Sequence, residues 1–240
     1  MEGLPEYYCL APDLPEHGDS QHVAPFSMEL VAQKVSDLIR DHVPGGRATV
    51  VGLSEGAQVA VQLLADASEQ VERAIISSAL LRPLPGTRWL SSPGLLAWLY
   101  RLSVRPFRDN DWWIRLNMKY AAGISENYWA DFKKSFRGMS ESGFVHMMSA
   151  NQSFRLPDGL ENVKAPVLAL AGKREYAAMK ESVRDLVRVL PNAKGGLVNL
   201  GQGSRLAEEH NWALSAPELF AQTVRAWMNG MPLPGEIELI

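Results

Sequence analysis

The sequence predicts an α/β protein, a mostly parallel sheet flanked by helices with one helical insertion, and three observations carry that prediction. Short apolar runs alternate with segments of helical periodicity along most of the chain. One of those runs passes through Gly52-Leu53-Ser54-Glu55-Gly56 into a helix-like segment. The alternation is interrupted once, between residues 82 and 160, by a stretch rich in aromatic side chains.

Five runs read as strands: Tyr7 to Ala11, Ala48 to Leu53, Ala74 to Ser78, Val167 to Ala171 and Gly196 to Leu200. Each is short and apolar, and several carry the β-branched residues that suit a strand buried on both faces. Met28 to His42 sets Leu30, Val31, Val35, Leu38 and Ile39 at helical spacing, and Pro44-Gly45-Gly46 ends the pattern. Similar patterns cover Glu55 to Ala65, Met179 to Leu190 and Pro217 to Met228. The last has Ser215 as its expected cap and Pro217 in its first turn.

The interruption opens with Pro83, Pro85, Gly86, Pro93 and Gly94 and then becomes aromatic and helix-like, so it reads as a helical lid inserted in the α/β core. It holds 13 of the 20 Trp, Tyr and Phe residues, as expected of a lid with an apolar inner face, although many such rings simply pack a segment's own core. The neighbours Trp112 and Trp113 cannot point the same way on a helix, so one of them is expected to face the main domain or a pocket. The domain expectation is a core of residues 1–81 and 161–240 with a lid of 82–160.

The 240 residues, 46% hydrophobic and 21% charged, are enough for one large core and exclude a disordered tail protein. With 24 basic against 27 acidic residues there is no positive excess to attract nucleic acid. No apolar run is long enough for a membrane span; the longest, Leu95 to Val104, is broken by Arg101. The lone Cys9 forms no internal disulfide, and the first residues carry Glu2 and Glu6 without an apolar stretch, so the expected compartment is a reducing one, the cytoplasm. Neither the histidines nor Gly201-Gln202-Gly203 have the spacing of a metal site or a dinucleotide fingerprint, so no cofactor is expected.

A bare G-x-S-x-G arises by chance in roughly one chain in ten of this length. Its place between a strand and a helix makes it far more specific. Small residues at Gly52 and Gly56 allow a sharp bend that lifts the Ser54 hydroxyl to the carboxyl edge of the sheet, beside a helix amino terminus that favours negative charge. A serine hydroxyl needs a base, and the base an orienting acid. Glu175 lies just after the fourth predicted strand and His210 after the fifth, so three loops meet at the same sheet edge. Glu208 and Glu209 adjoin His210, but sequence neighbours rarely point at one another, and Glu175 is the preferred acid.

In these residues the chain resembles the α/β-hydrolase superfamily, in its capped serine-hydrolase branch. Ser54 matches the nucleophile elbow, Pro166 to Glu175 resembles the strand and loop that bear the acid, and His210 with Trp212 and Pro217 resembles the histidine loop and final helix. Asp13 to Ser20 is similar to the family's D-x-P-G-x-G-x-S turn. There Glu16 replaces a glycine, so the turn is expected to take a conformation that a side chain tolerates, with the carboxylate near the site entrance. The resemblance also implies strands ahead of that turn and an H-G type loop supplying a second oxyanion donor. Neither has a counterpart here, so Met1 is expected to be internal to a longer natural chain; the other expectation is that lid residues or the partner of a homodimer cover the first edge.

The function the resemblance implies is hydrolysis of an ester or similar acyl bond in a small apolar substrate, through Ser54, His210 and Glu175 and an acyl-enzyme. The Glu55 backbone N–H would hold the oxyanion, and Leu53, Trp112 and Trp113 would contact substrate. The alternatives are a carbon–carbon bond hydrolase or lactonase with the same triad, and a non-catalytic ligand-binding homologue.

Overall fold

The computed structural model describes residues 3–83 and 92–240. Its centre is a five-stranded sheet in the order β1-β2-β3-β4-β5, formed by Ala48–Leu53, Val71–Ser77, Val167–Gly172, Ala193–Val198 and Ile237–Leu239. The first four strands are parallel and β5 runs antiparallel to β4. Parallel neighbours need long crossovers, and helices supply them. The helices α1 (Met28–His42), α2 (Glu55–Asp66), α7 (Ala177–Val189) and α10 (Pro217–Met228) lie close to the predicted spans.

Strand alternation divides the core in two. Ala74, Ile76, Val167, Ala169 and Ala171 face one way and pack with apolar residues of α1, α2 and α7. Ile75, Leu168, Leu170 and Val198 face the other way, against Trp212, Val224 and Trp227. The helix α1 is capped by Ser27, whose hydroxyl accepts the Leu30 N–H at 3.2 Å.

The remaining helices lie between β2 and β3 or follow β4. Between β2 and β3 are α3 (Pro93–Ser103), α4 (Asp111–Leu116), α5 (Trp129–Gly138) and α6 (Glu141–Ser153), joined by short 3-10 and π turns. Two short helices, α8 (Leu206–His210) and α9 (Trp212–Ser215), precede α10. Pro85 and Gly86 of the predicted proline and glycine cluster, like Met1, lie outside the described residues. No helix among the described residues is long and apolar enough to cross a membrane.

Several expectations are corrected. Tyr7 to Ala11 forms no strand: it has no partner strand, Tyr8 is 75% exposed, and the segment follows α10 instead, where Arg225 donates to Gly3 O and pairs with Glu6. The fourth strand starts at Ala193, three residues before the predicted run, because Lys194 and Gly195 pair with β3 although neither is apolar. Ser215 does not cap α10: Ala216 holds that position, and the Ser215 hydroxyl donates to Glu208 O at 2.6 Å. Glu16 adopts a left-handed φ of 63° in spite of its side chain. Nor does its carboxylate stand at an entrance. It is buried, accepting the Phe26 N–H at 2.8 Å and contacting Nδ1 of His146 on α6 at 2.9 Å.

Candidate active site

The bend after β1 is made by the residues that predicted it. Ser54 sits at φ 55° and ψ −115°, a strained region for any residue with a side chain, and its N–H donates to Ser77 O at 2.8 Å. The bend requires glycine at position 52, because a Cβ there would lie 2.3 Å from Gly56 O. Ser54 precedes α2, yet its hydroxyl makes no cap bond.

The hydroxyl turns instead to His210, whose Nε2 is 2.9 Å from Ser54 Oγ. On the other side of the ring, Nδ1 contacts Glu175 Oε1. Assigning the Nδ1 proton toward the carboxylate leaves Nε2 to accept from the serine hydroxyl. Glu175 is 4% exposed, and its second oxygen accepts the Gly172 N–H at 2.6 Å and the Ser78 hydroxyl at 2.9 Å. Both bonds satisfy a buried acceptor and fix its orientation. Loops from three strands thus deliver one serine, one histidine and one carboxylate to a single hydrogen-bonded chain.

Ser78 was not among the predicted site residues. It follows β2 at φ 59°, its N–H donates to Leu170 O at 2.8 Å, and its side chain reaches Glu175 across 97 positions of sequence. No local pattern marks such a residue; its role depends on two strands being neighbours.

Glu55 begins α2, which leaves its N–H at the unsatisfied amino terminus of the helix. Its side chain is a separate matter. One carboxyl oxygen is buried without a hydrogen-bond partner, and burial raises its pKa to about 7.

The predicted substrate contacts are dispersed. Leu53 is half-buried against the core face shared by Ile75 and Leu168. Trp113 packs against Phe107 with ring centroids 4.7 Å apart and the planes tilted by 31°, inside the helical segment, and Trp112 is 67% exposed. A cavity of about 510 Å³ lies between the turn after α4 and the histidine loop, with Lys119, Ile124, Leu200 and Arg205 in its wall. Neither Ser54 nor His210 lines it.

Comparison with known proteins adds the family. The profile of the alpha/beta hydrolase family matches residues 2–223. The chain belongs to that family. It is also similar to an AB hydrolase superfamily protein of Gibberella zeae, 24% identical over 98% of this chain and 74% of that protein. Among solved structures, an enol-lactonase from Burkholderia xenovorans superposes with a TM-score of 0.66 at 20% identity, over 90% of this chain and 79% of that one. A thermophilic esterase from Thermogutta terrifontis gives 0.60 at 18% identity, over 91% and 78%. At such identities the structural likeness establishes the fold alone, the alpha/beta hydrolase fold.

Proposed function

We propose that this alpha/beta hydrolase family member is a serine hydrolase that cleaves an ester or similar acyl bond in a small apolar substrate. The observation that carries the reading is the continuous chain Ser54 Oγ, His210, Glu175, with Nε2 of the imidazole 2.9 Å from the hydroxyl. His210 takes the hydroxyl proton as Oγ attacks the carbonyl carbon, and Glu175 stabilises the imidazolium that forms. The Glu55 N–H, at the positive end of α2, meets the developing oxyanion. His210 then protonates the leaving group, and water, activated by the same imidazole, releases the acyl group from Ser54. A helical segment that holds most of the aromatic residues suits an apolar substrate and acts as the lid over the core. The enol-lactonase and esterase descriptions of two structural neighbours agree with acyl chemistry.

The test is a fluorophosphonate probe together with p-nitrophenyl ester turnover. Wild-type protein is expected to take up one probe at Ser54 and to hydrolyse short esters, and Ser54→Ala to lose both. Equal turnover in wild type and Ser54→Ala would overturn the reading. Thermal stabilisation by ligands with neither labelling nor turnover would establish a binding protein instead.

A further inference from the structure

Glu209 is the most deeply buried charged side chain beside the site, with 0% exposure. A carboxylate in such a place is strongly destabilising unless it is paired and its lone pairs are used. Here they are used. The Arg174 backbone N–H donates to one oxygen, and the Ser204 hydroxyl donates to the other at 2.7 Å. The Arg174 guanidinium stands 3.6 Å from the carboxylate and also donates to Ser204 Oγ at 3.1 Å and to Gln202 O at 2.8 Å.

The placement of these bonds gives them meaning. Arg174 directly precedes Glu175 in the chain, and Glu209 directly precedes His210. Each neighbour reaches across to the other's loop, so the two loops are tied one residue away from the hydrogen bond between Glu175 and His210. Gly172 makes room for the tie, because a Cβ there would lie 2.7 Å from the Cβ of Glu209. The adjacent Glu208 does something different: it pairs with Arg205 at the start of α8, toward solvent. Lys173 is likewise turned away, to Glu238.

We propose that Glu209 is a positioning residue, whose buried carboxylate clamps the Glu175 loop to the His210 loop and thereby sets the geometry of the acid–imidazole pair. This deepens the hydrolase reading and rests on it. Glu209 touches no reacting atom, and it acts through the two loops. The charged groups on the two loops are Arg174 and Glu209 themselves, Lys173 paired with Glu238, and the Arg205–Glu208 pair on the outer side of α8.

The experiment measures fluorophosphonate labelling rates and the pH profile of ester kcat/KM for wild type, Glu209→Ala, Glu209→Gln and Arg174→Met. Misplacement of a reacting group by about 1 Å can lower rates about 10²-fold, so Glu209→Ala is expected to label and turn over about 10–100-fold more slowly with KM little changed. Its acid limb moves to lower pH, because a displaced Glu175 stabilises the imidazolium less. Glu209→Gln keeps an acceptor oxygen and is expected to recover most of the loss. A merely structural role would lower the active fraction and leave the acid limb in place. Should Glu209→Ala fail to fold, Arg174→Met, altered at a half-exposed side chain, decides the matter with an expected loss of about 3–10-fold. Wild-type rates and an unmoved acid limb in whichever variant folds would overturn the clamp. An unlabelled wild-type Ser54 would remove the hydrolase reading itself, and the clamp with it.

Discussion

At the scale of single residues, two carboxyl groups show how environment decides what a side chain does. Glu16 holds a left-handed φ that a glycine would adopt freely, at a cost of about 1–2 kcal/mol for an L-residue. It gains an acceptor for the buried Phe26 N–H and a contact with His146, and leaving such a donor unpaired costs about 1–3 kcal/mol, so the side chain offsets its strain. Glu55 has no such compensation. Burial raises its pKa to about 7, while the helix dipole, worth about 0.3–1 kcal/mol, favours the anion too weakly to reverse the shift. Below its unfolded pKa Glu55 is neutral in both states and has no effect. Between about pH 4.5 and 7 the unfolded chain ionises first, so stability falls as pH rises, by up to about 3 kcal/mol, and stays lower above that window. Urea denaturation of Glu55→Gln is therefore expected to show a difference from wild type that grows in the variant's favour by up to this amount between pH 4 and 8. A constant difference across that range would show that Glu55 does not titrate there.

At the scale of elements, the junction of β1 and α2 is the most constrained part of the site. Ser54 is strained, and Gly52 and Gly56 stand in backbone contact. A methyl group at position 52 cannot be absorbed by a flexible side chain, because the atoms it meets are backbone. Gly52→Ala is expected to destabilise the protein by about 2–3 kcal/mol and to cut fluorophosphonate labelling of Ser54 at least about 10²-fold. Gly56→Ala, where an added Cβ meets open space, is the control and is expected to change stability far less. This junction was legible in the sequence because its requirements are local: a glycine at position 52, an apolar run before and a helical pattern after, while the space at Gly56 shows that the second predicted small residue is not required. The strand β5 was not legible. Ile237-Glu238-Leu239 is too short to carry a period, and it is a strand because β4 offers it an edge.

At the scale of the whole molecule, the helical segment between β2 and β3 meets the α/β core through polar latches on α6. Gln58, 0% exposed on α2, donates to Leu80 O at 2.7 Å and Asn151 O at 2.9 Å, and accepts from Asn151 Nδ2 at 2.9 Å. Glu16 and His146 make the second latch. By contrast, the ion pairs of Arg115 with Glu126 and Lys133 with Asp111 join parts of the helical segment to one another at its surface, where such pairs contribute little. Gln58→Ala takes the partner from three groups, Leu80 O, Asn151 O and Asn151 Nδ2, and is expected to cost about 2–3 kcal/mol, a fall of roughly 4–12 °C in Tm. Hydrogen exchange should locate the effect, with protection lost in α6 and kept in β1 to β3. Uniform loss across the sheet would mean that α6 and the core unfold as one unit.

What the sequence by itself determined about this protein is whatever local order specifies: the alternation of strands and helices, the bend at Ser54, and the order of serine, acid and histidine along the chain. Periodicity and small residues report the conformation of their own neighbourhood, and they did so here for β1, α1 and α10. Only the tertiary structure decided how those residues meet. Ser78 reaches Glu175 across 97 positions, Glu209 turns away from His210 to hold the opposite loop, and Tyr7 to Ala11 stays unpaired. Each outcome depends on which backbone or side chain stands opposite in space, and hydrogen bonds between distant segments leave no period in the sequence.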